Sequence, residues 1–250
     1  MGEFLMRDAA LLSEKEWEAL DTTVVETVRK FLVGRRLLDL AGPFGPGVEM
    51  VPVGTGEERH YVPLTMIDEP FTLYWQDVEV SRAMGTHLEL GKAARAAMAC
   101  AKAEDDLILG GLWEQADKAV GLGDWSKAEG PLDSIVAATE ALFGDGFLGP
   151  YAVVLSPALY TQTQRVSHGM GRMVSKLIAD VAEGGLFRSQ LLGETQGMVL
   201  SLGAFNFDIA IGQDLVTAYE GNEGLDHLFR VMETIALRVK RPGAICRLEG

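Results

Sequence analysis

The chain of 250 residues contains one glycine pattern of the kind that binds dinucleotides, Gly144-Asp145-Gly146-Phe147-Leu148-Gly149. That G-x-G-x-x-G pattern works when a strand precedes it and a helix follows it, because the helix amino terminus then meets the pyrophosphate. Here a helical pattern precedes the glycines and an apolar strand pattern follows them. We therefore predict that these glycines end a helix and form a turn, and that they bind no nucleotide.

Other residue types that do chemistry are dispersed along the chain. Four histidines stand apart from one another: His60, His87, His168 and His227. None lies three or four residues from a second ligand in a recognised metal pattern, so we expect surface or loop positions for them. Glu104, Asp105 and Asp106 are adjacent on a predicted helix, where neighbouring side chains point apart. Ser156 lacks the G-x-S-x-G turn of a hydrolase nucleophile. We expect no catalytic residue, no metal and no cofactor, and hence no enzyme.

Composition narrows the class of protein further. Hydrophobic residues make up 48% of the chain, and 22 basic residues face 36 acidic ones, a net charge of −14. A protein that coats nucleic acid needs basic residues to neutralise phosphates, so this balance disfavours a nucleic-acid partner. No apolar run approaches the ~18 residues of a membrane span, and no signal peptide is visible. Cys100 and Cys246 form no pair in sequence, which indicates reduced, buried thiols and a cytoplasmic protein.

Periodicity predicts an amphipathic amino-terminal helix and a long two-stranded excursion. Ser13 and Glu16 form a capping-box pattern, and an apolar stripe follows until Gly34 ends the helix. Residues 48–74 favour extended structure, with a tip around residues 54–60. Arms of roughly a dozen residues would reach about 40 Å. Because such a hairpin cannot bury itself within its own domain, we expect it to contact a neighbouring molecule.

The remaining elements are predicted from their apolar spacing. Helices are expected at residues 88–109, 132–143, 158–166 and 172–182, and strands at residues 151–155, 186–189, 198–202, 207–211, 215–219 and 228–240. The stretch 112–130 is expected to be a loop. On the first of these helices, the buried face is predicted to carry Ala94, Ala97, Met98, Ala101, Leu107 and Ile108.

Five segments, in order along the chain, resemble the encapsulins, which are bacterial and archaeal shell proteins that enclose cargo enzymes. They are Leu11–Trp17, Gly34–Gly45, Phe71–Trp75 with its acidic continuation at 77–79, Gly149–Tyr160, and Phe207–Tyr219 followed by Phe229-Arg230-Val231. The sequences of these segments are most similar to those of the branch whose cargo is a ferritin-like iron oxidase. Some encapsulins hold flavin near the position of Trp75, but Gln76 stands where the aromatic residue is expected, so we expect no flavin.

The resemblance implies an α+β protein with the tailed-phage major-capsid fold (Hong Kong 97 type). The expected parts are an amino-terminal helix and arm (1–47), an extended loop (48–74), a peripheral domain (75–131 and 216–250) and an axial domain (132–215). The implied function is structural. Copies of the chain self-assemble into an icosahedral compartment around a cargo protein that carries a terminal targeting peptide, for iron storage or oxidative-stress defence. Neither nucleic acid nor membrane is an expected partner.

The resemblance also implies two sites. The inner face of the amino-terminal helix is expected to bind the cargo peptide through Val25, Val28, Phe31, Arg35, Asp39 and Thr217. A loop is expected at the five-fold pore, formed by Glu183, Gly184, Gly185, Leu186, Phe187, Arg188, Ser189 and Gln190. Its glycines allow close approach of the backbone to the axis.

Two other classes stay open from the residues alone. A phage or prophage capsid protein would share the fold, and an acidic cytoplasmic α/β enzyme would share the composition. Shell size and cargo identity are not specified by the sequence.

Overall fold

A computed structural model describes residues 3–167, 169 and 171–250, so that His168 lies outside the described residues. The helices are α1 (Glu14–Phe31), α2 (Gly34–Leu37), α3 (Trp75–Met84), α4 (Gly91–Glu114), α5 (Gly130–Gly144), α6 (Pro157–Gln162) and α7 (Val174–Val181). The strands are β1 (Asp39–Ala41), β2 (Met50–Val53), β3 (His60–Pro63), β4 (Thr65–Leu73), β5 (Lys118–Gly121), β6 (Tyr151–Leu155), β7 (Gly185–Arg188), β8 (Gln196–Ser201), β9 (Phe207–Glu223), β10 (Asp226–Val239) and β11 (Ile245–Glu249).

The strands form three sheets. A four-stranded sheet has the order β1-β9-β10-β4, a five-stranded sheet the order β5-β11-β8-β6-β7, and β2 pairs with β3 alone. The sequence predicts two short strands at 207–211 and 215–219, but the structure has one strand there, β9, which pairs antiparallel with β10. The interruption near Gln213 is a register shift inside this strand. His227 is buried within β10, with 6% of its surface exposed, so its predicted surface position is wrong.

Helix α1 begins as the sequence predicts. The Glu16 amide donates to Ser13 Oγ at 3.4 Å and the Ser13 amide donates to Glu16 Oε2 at 2.7 Å, which completes the capping box. The helix ends at Phe31, before Gly34. A Cβ on Gly34 would lie 2.8 Å from Ile108 Cδ1, so this glycine permits close packing against α4 and is not the helix stop.

Helix α4 is the long alanine-rich helix, shifted toward the carboxyl terminus relative to the prediction. It packs against α1 and against strands β4 and β10. Ala97, Ala101 and Ile108 are buried as predicted. Met98 is 41% exposed, so it does not belong to the buried face.

The β2–β3 hairpin is shorter than predicted. Four residues of each strand are paired, about 13 Å of ladder, and the returning arm continues as β4 in the four-stranded sheet. Val51 and Val53 are buried, at 1% and 2% exposure, and Val51 packs against Ala210 of β9 and Ala236 of β10. One face of the hairpin is therefore buried within its own subunit, contrary to the expectation.

The five-stranded sheet contains two strands that were not predicted from the sequence. β5 lies in the predicted loop 112–130, and the carboxyl-terminal strand β11 lies between β5 and β8. Residues 118–121 and 245–249, assigned to the peripheral domain, therefore share a sheet with strands of the predicted axial domain. The glycine pattern behaves as predicted: α5 ends at Gly144, Gly146 has a φ of 81°, and β6 follows.

Candidate functional site

Helix α1 carries Val25, Val28 and Phe31 of the predicted cargo-binding residues, and they differ in burial. Val28 is 5% exposed and belongs to the core, together with Leu20 and Val24. Val25 is half-buried, and Phe31, at the last turn, is 50% exposed. The structure therefore leaves Phe31 and part of Val25 accessible to a ligand, and it places Val28 beneath them as support.

Arg35 is engaged within its own subunit. Its Nε donates to Glu104 Oε1 at 2.7 Å, its Nη1 to Asp214 Oδ1 at 2.7 Å, and its Nη2 to Glu233 Oε2 at 2.5 Å. Burial alone would lower the pKa of Arg35, but the hydrogen bond and charge of Glu104 outweigh it and the pKa lies above its ordinary value. With 17% of the side chain exposed, Arg35 joins α2 to α4 and β10 and is not free to bind a peptide flank.

Asp105 fixes the elbow between α1 and α2. Its Oδ2 accepts from the Val33 amide at 2.8 Å and its Oδ1 from the Gly34 amide at 2.7 Å. Burial raises the pKa of Asp105 to about 6, against the opposing effect of these backbone bonds. The elbow that follows Phe31 is therefore tied to α4 through a buried carboxylate.

The acidic residues of this network were not predicted as a site. Glu104 and Asp105 do point to different partners, as expected of neighbours on a helix, yet both are buried. The sequence contained a signal for the burial of Glu104. This residue lies four positions after Cys100 and four before Ile108, on the apolar stripe of α4. Glu233 likewise alternates with Val231 and Ile235 on the buried face of β10. A charged residue in such a register predicts a buried partner.

Asp39 and Thr217 are the remaining residues predicted to bind the cargo peptide, and they differ in burial. Asp39 is exposed in β1, next to Leu40, which is 51% exposed. Thr217 is 1% exposed in β9, and its Oγ1 has no hydrogen-bond partner among the described residues. Thr217 therefore belongs to the core and Arg35 is engaged in ion pairs, whereas Val25, Phe31 and Asp39 leave side-chain surface accessible to solvent.

The predicted pore loop is largely an edge strand. Residues 185–188 form β7, which pairs in parallel with β6 at the border of the five-stranded sheet. A Cβ on Gly184 would lie 2.8 Å from the Tyr151 carbonyl oxygen, and Gly185 has a φ of +110°. These glycines are thus required by the turn into β7. Ser189 is buried, whereas Glu183, Arg188 and Gln190 are exposed.

The outer face of the β2–β3 hairpin is apolar and uncovered in the subunit. Met50 pairs with Pro63 and Pro52 pairs with Tyr61, which places these four side chains on one face. All four are exposed, Met50 at 51% and Tyr61 at 56%. Arg238 Nη1 donates to the Pro52 carbonyl oxygen at 3.0 Å, which holds the hairpin on the sheet. The face opposite the buried valines is therefore a fixed apolar surface.

Arg82 fixes the amino-terminal end of α1. Its guanidinium donates to Glu16 Oε1 at 2.8 Å, to Glu79 Oε1 at 2.9 Å and to the Leu11 carbonyl oxygen at 2.6 Å. The hydrogen bond from Arg82 lowers the pKa of Glu16 to about 2. Helix α1 is thus held at one end by α3 and at the other by α4.

Among residues 3–167, 169 and 171–250, no cluster of three or more His, Cys, Asp or Glu side chains has a geometry that would hold a metal ion. Within the same ranges, no helix is both long and apolar enough to cross a membrane.

A family model and individual known proteins agree on the family to which this chain is similar. Residues 2–236 match the family described as "Encapsulating protein for peroxidase". The chain is 38% identical over 280 aligned positions to the type 1 encapsulin shell protein of Myxococcus xanthus, with 100% of this chain and 98% of the relative covered. It is 23% identical over 207 positions to a ferritin-like-encapsulin shell fusion protein of Pyrococcus furiosus, covering 82% of this chain and 56% of the relative.

Solved structures show the same fold. The virus-like particle from Pyrococcus furiosus aligns with a TM-score of 0.81 at 20% identity, over 95% of this chain and 100% of that one. The capsid of the Myoviridae phage XM1 aligns with a TM-score of 0.61 at 14% identity, over 81% and 82%. The chain therefore has the major-capsid fold of tailed phages (Hong Kong 97 type), and it belongs to the encapsulin shell-protein family.

Proposed function

We propose that this chain assembles with copies of itself into a closed icosahedral shell that encloses a cargo protein. The observation that carries the proposal is the uncovered apolar face of the β2–β3 hairpin, formed by Met50, Pro52, Tyr61 and Pro63. A fixed apolar surface of this kind marks an interaction site. The occupant proposed is a second copy of the chain, because shell proteins close through repeated contacts between identical subunits.

Two substitutions on the outer face of the hairpin test assembly. Tyr61→Lys places a charge on the outer face and leaves buried Val51 and Val53 untouched, so the subunit should fold but remain unassembled. Met50→Leu conserves volume and apolarity and is the matched control. Size-exclusion chromatography with light scattering separates the two outcomes. Normal shells from Tyr61→Lys would exclude this face as a contact between subunits.

The second part of the proposal is capture of a cargo peptide by α1. Val25 and Phe31 provide accessible apolar surface, and Asp39 provides an exposed charge. Burying one such anchor contributes ~1.5–3 kcal/mol, whereas ordering a flexible tail costs ~2–5 kcal/mol. A single peptide therefore binds weakly, and an oligomeric cargo with several tails binds by avidity.

Phe31→Ala tests the cargo face. Because Phe31 is half exposed, the variant should form intact shells that co-purify with much less cargo. Val28→Ala is the contrasting control, since Val28 lies in the core and its truncation should lower subunit stability while leaving the accessible face in place. Normal cargo loading of intact Phe31→Ala shells would exclude the face.

The cargo class proposed is a ferritin-like iron oxidase, serving iron storage or oxidative-stress defence in the cytoplasm. The Pyrococcus furiosus relative supports this class, because its name describes a shell protein fused to a ferritin-like protein. The chemistry would belong to the cargo, and the shell would be a non-catalytic container. Co-expression with a candidate cargo, followed by measurement of iron per shell, tests the assignment; shells that exclude that cargo would contradict it.

We also propose that the segment 183–190 lies at a pore. Exposed Glu183, Arg188 and Gln190 would face the passage, while β7 supports them. Deleting residues from β7 would remove an edge strand of the sheet, so a charge change is the cleaner test. Arg188→Glu should change the rate at which small anions enter intact shells, and Arg172→Glu, on another exposed segment, should not. Equal entry rates would contradict the pore assignment.

A further inference from the structure

Two buried carboxyl groups flank a single guanidinium in the core of the subunit. Glu104 of α4 and Glu233 of β10 both have side chains with 0% exposure, and Arg35 donates to one oxygen of each. The other two oxygens, Glu104 Oε2 and Glu233 Oε1, have no hydrogen-bond partner among the described residues. Buried carboxylate oxygens are almost always hydrogen-bonded, so this arrangement requires an explanation.

Charge counting points to a missing proton. If both carboxyl groups were ionised, one guanidinium would face two buried negative charges, an arrangement that burial strongly disfavours. Arg35 holds both carboxyl groups on neighbouring nitrogens of one guanidinium, with its Nε 2.7 Å from Glu104 Oε1 and its Nη2 2.5 Å from Glu233 Oε2. One proton between them lets a carboxylic acid donate to the neighbouring carboxylate, which satisfies both remaining oxygens and leaves one negative charge opposite Arg35.

We propose that Glu104 and Glu233 share one proton at neutral pH and form, with Arg35, a proton-dependent latch that holds α2 against α4 and β10. Arg35 follows the elbow after Phe31, and Glu233 lies at a register shift of β10 between Met232 and Thr234. The latch thus joins the amino-terminal helical region to the long strand pair. Nothing in it depends on cargo, pores or contacts between subunits.

The surroundings of the pair are compatible with a retained proton. Burial raises the pKa of Glu233 to about 9, the charge of Glu104 adds to this effect, and Arg35 opposes it. Three other groups face the pair from the packed elements, Asp214, Asp105 and Cys100, and Glu69 of β4 in turn lies near Cys100. Asp214 is 59% exposed and binds Arg35, Asp105 accepts from the elbow backbone, and burial raises the pKa of the Cys100 thiol to about 12, so this thiol stays neutral.

The sign of the pH dependence follows from the raised value. The folded subunit keeps the proton up to about pH 9, whereas the unfolded chain releases it near the ordinary value of 4.5. The stabilising contribution is therefore complete below 4.5 and is lost as the pH rises to 9. Over that window the unfolding equilibrium constant should rise about tenfold per pH unit from this one proton.

Replacing either glutamate with the isosteric glutamine supplies an N–H donor in place of the shared proton. In Glu233→Gln the amide carbonyl accepts from Arg35 and the amide nitrogen donates to Glu104, so the variant should fold and should lose one proton from its pH dependence between 6 and 9. Glu104→Gln should do the same by symmetry, whereas the double variant leaves Arg35 without a buried carboxylate and should be much less stable. Glu223→Gln, an exposed position at the end of β9, is the control and should keep the wild-type slope.

Infrared difference spectroscopy of the purified protein in D₂O gives a second readout that does not depend on refolding. The wild type should show the carbonyl stretch of a protonated carboxylic acid at neutral pH, titrating away with a midpoint near 9. The band should be absent from Glu233→Gln and retained in Glu223→Gln. Absence of the band from the wild type, or an unchanged pH slope in a folded Glu233→Gln, would overturn the shared proton.

Discussion

Removal of Arg35 separates a structural role from a peptide-binding role. All three guanidinium nitrogens bind carboxyl groups of the same subunit, and Glu104 and Glu233 have no exposed side-chain surface. Truncation to Ala leaves a buried negative charge without its cation. Breaking a buried pair in this way costs about 3–5 kcal/mol.

This loss is large relative to the stability of a domain. A folded domain is stable by about 5–15 kcal/mol. For a chain of this size each kcal/mol lowers the melting temperature by about 2–4 °C, so Arg35→Ala should melt about 6–20 °C below the wild type if it assembles at all. The assay is thermal melting of purified full-length protein at fixed concentration, with light scattering to follow assembly.

Arg230→Ala is the matched control. Arg230 lies on the same strand as Glu233 but is one third exposed and binds Asp68 and Glu220 near the surface. Exposed pairs contribute ~0–1 kcal/mol, so this variant should melt near the wild type. A stable, fully assembled Arg35→Ala shell that merely lacks cargo would refute the structural role and restore Arg35 to the peptide-binding face.

Three further predictions follow from local geometry. Gly34→Ala should destabilise the subunit by about 1–3 kcal/mol, because the new Cβ would lie 2.8 Å from Ile108 Cδ1; Gly110→Ala, on the same helix as Ile108 and with open space around its Cβ, should be neutral or stabilising, and denaturant titration compares the two. Ser13→Ala should cost about 1 kcal/mol through loss of the helix cap, measured the same way. The depressed pKa of Glu16 stabilises the fold above about pH 4.5 and this stabilisation is lost as the pH falls to about 2, so Glu16→Gln should flatten the acid limb of the melting-temperature profile.

Local patterns predicted the elements that local interactions determine. The capping box at Ser13, the helix ending at Gly144 and the strand at residues 151–155 were all placed from sequence, because caps, glycines and apolar runs act within a few residues. β5 and β11 were missed, since Lys118 and Arg247 interrupt their apolar character, and since the two strands pair with each other across more than a hundred residues.

The candidate site shows the same division. The sequence places Val28 and Phe31 on one apolar stripe, and only the structure separates buried Val28 from Phe31, which is 50% exposed at the last turn of the helix. The role of Arg35 depends on Glu104, Asp214 and Glu233, which are 69, 179 and 198 residues away, and no local pattern brings those charges together. Burial of Val51 likewise required the positions of Ala210 and Ala236 in the long strand pair.

Negative-stain electron microscopy of the purified chain, expressed without any cargo, tests shell formation most directly. The apolar outer face of the hairpin, the capsid fold and the family membership together predict closed, hollow particles of uniform diameter. Monomers or dimers under a range of pH and salt conditions, with no closed particles on the grid, would contradict the proposed shell.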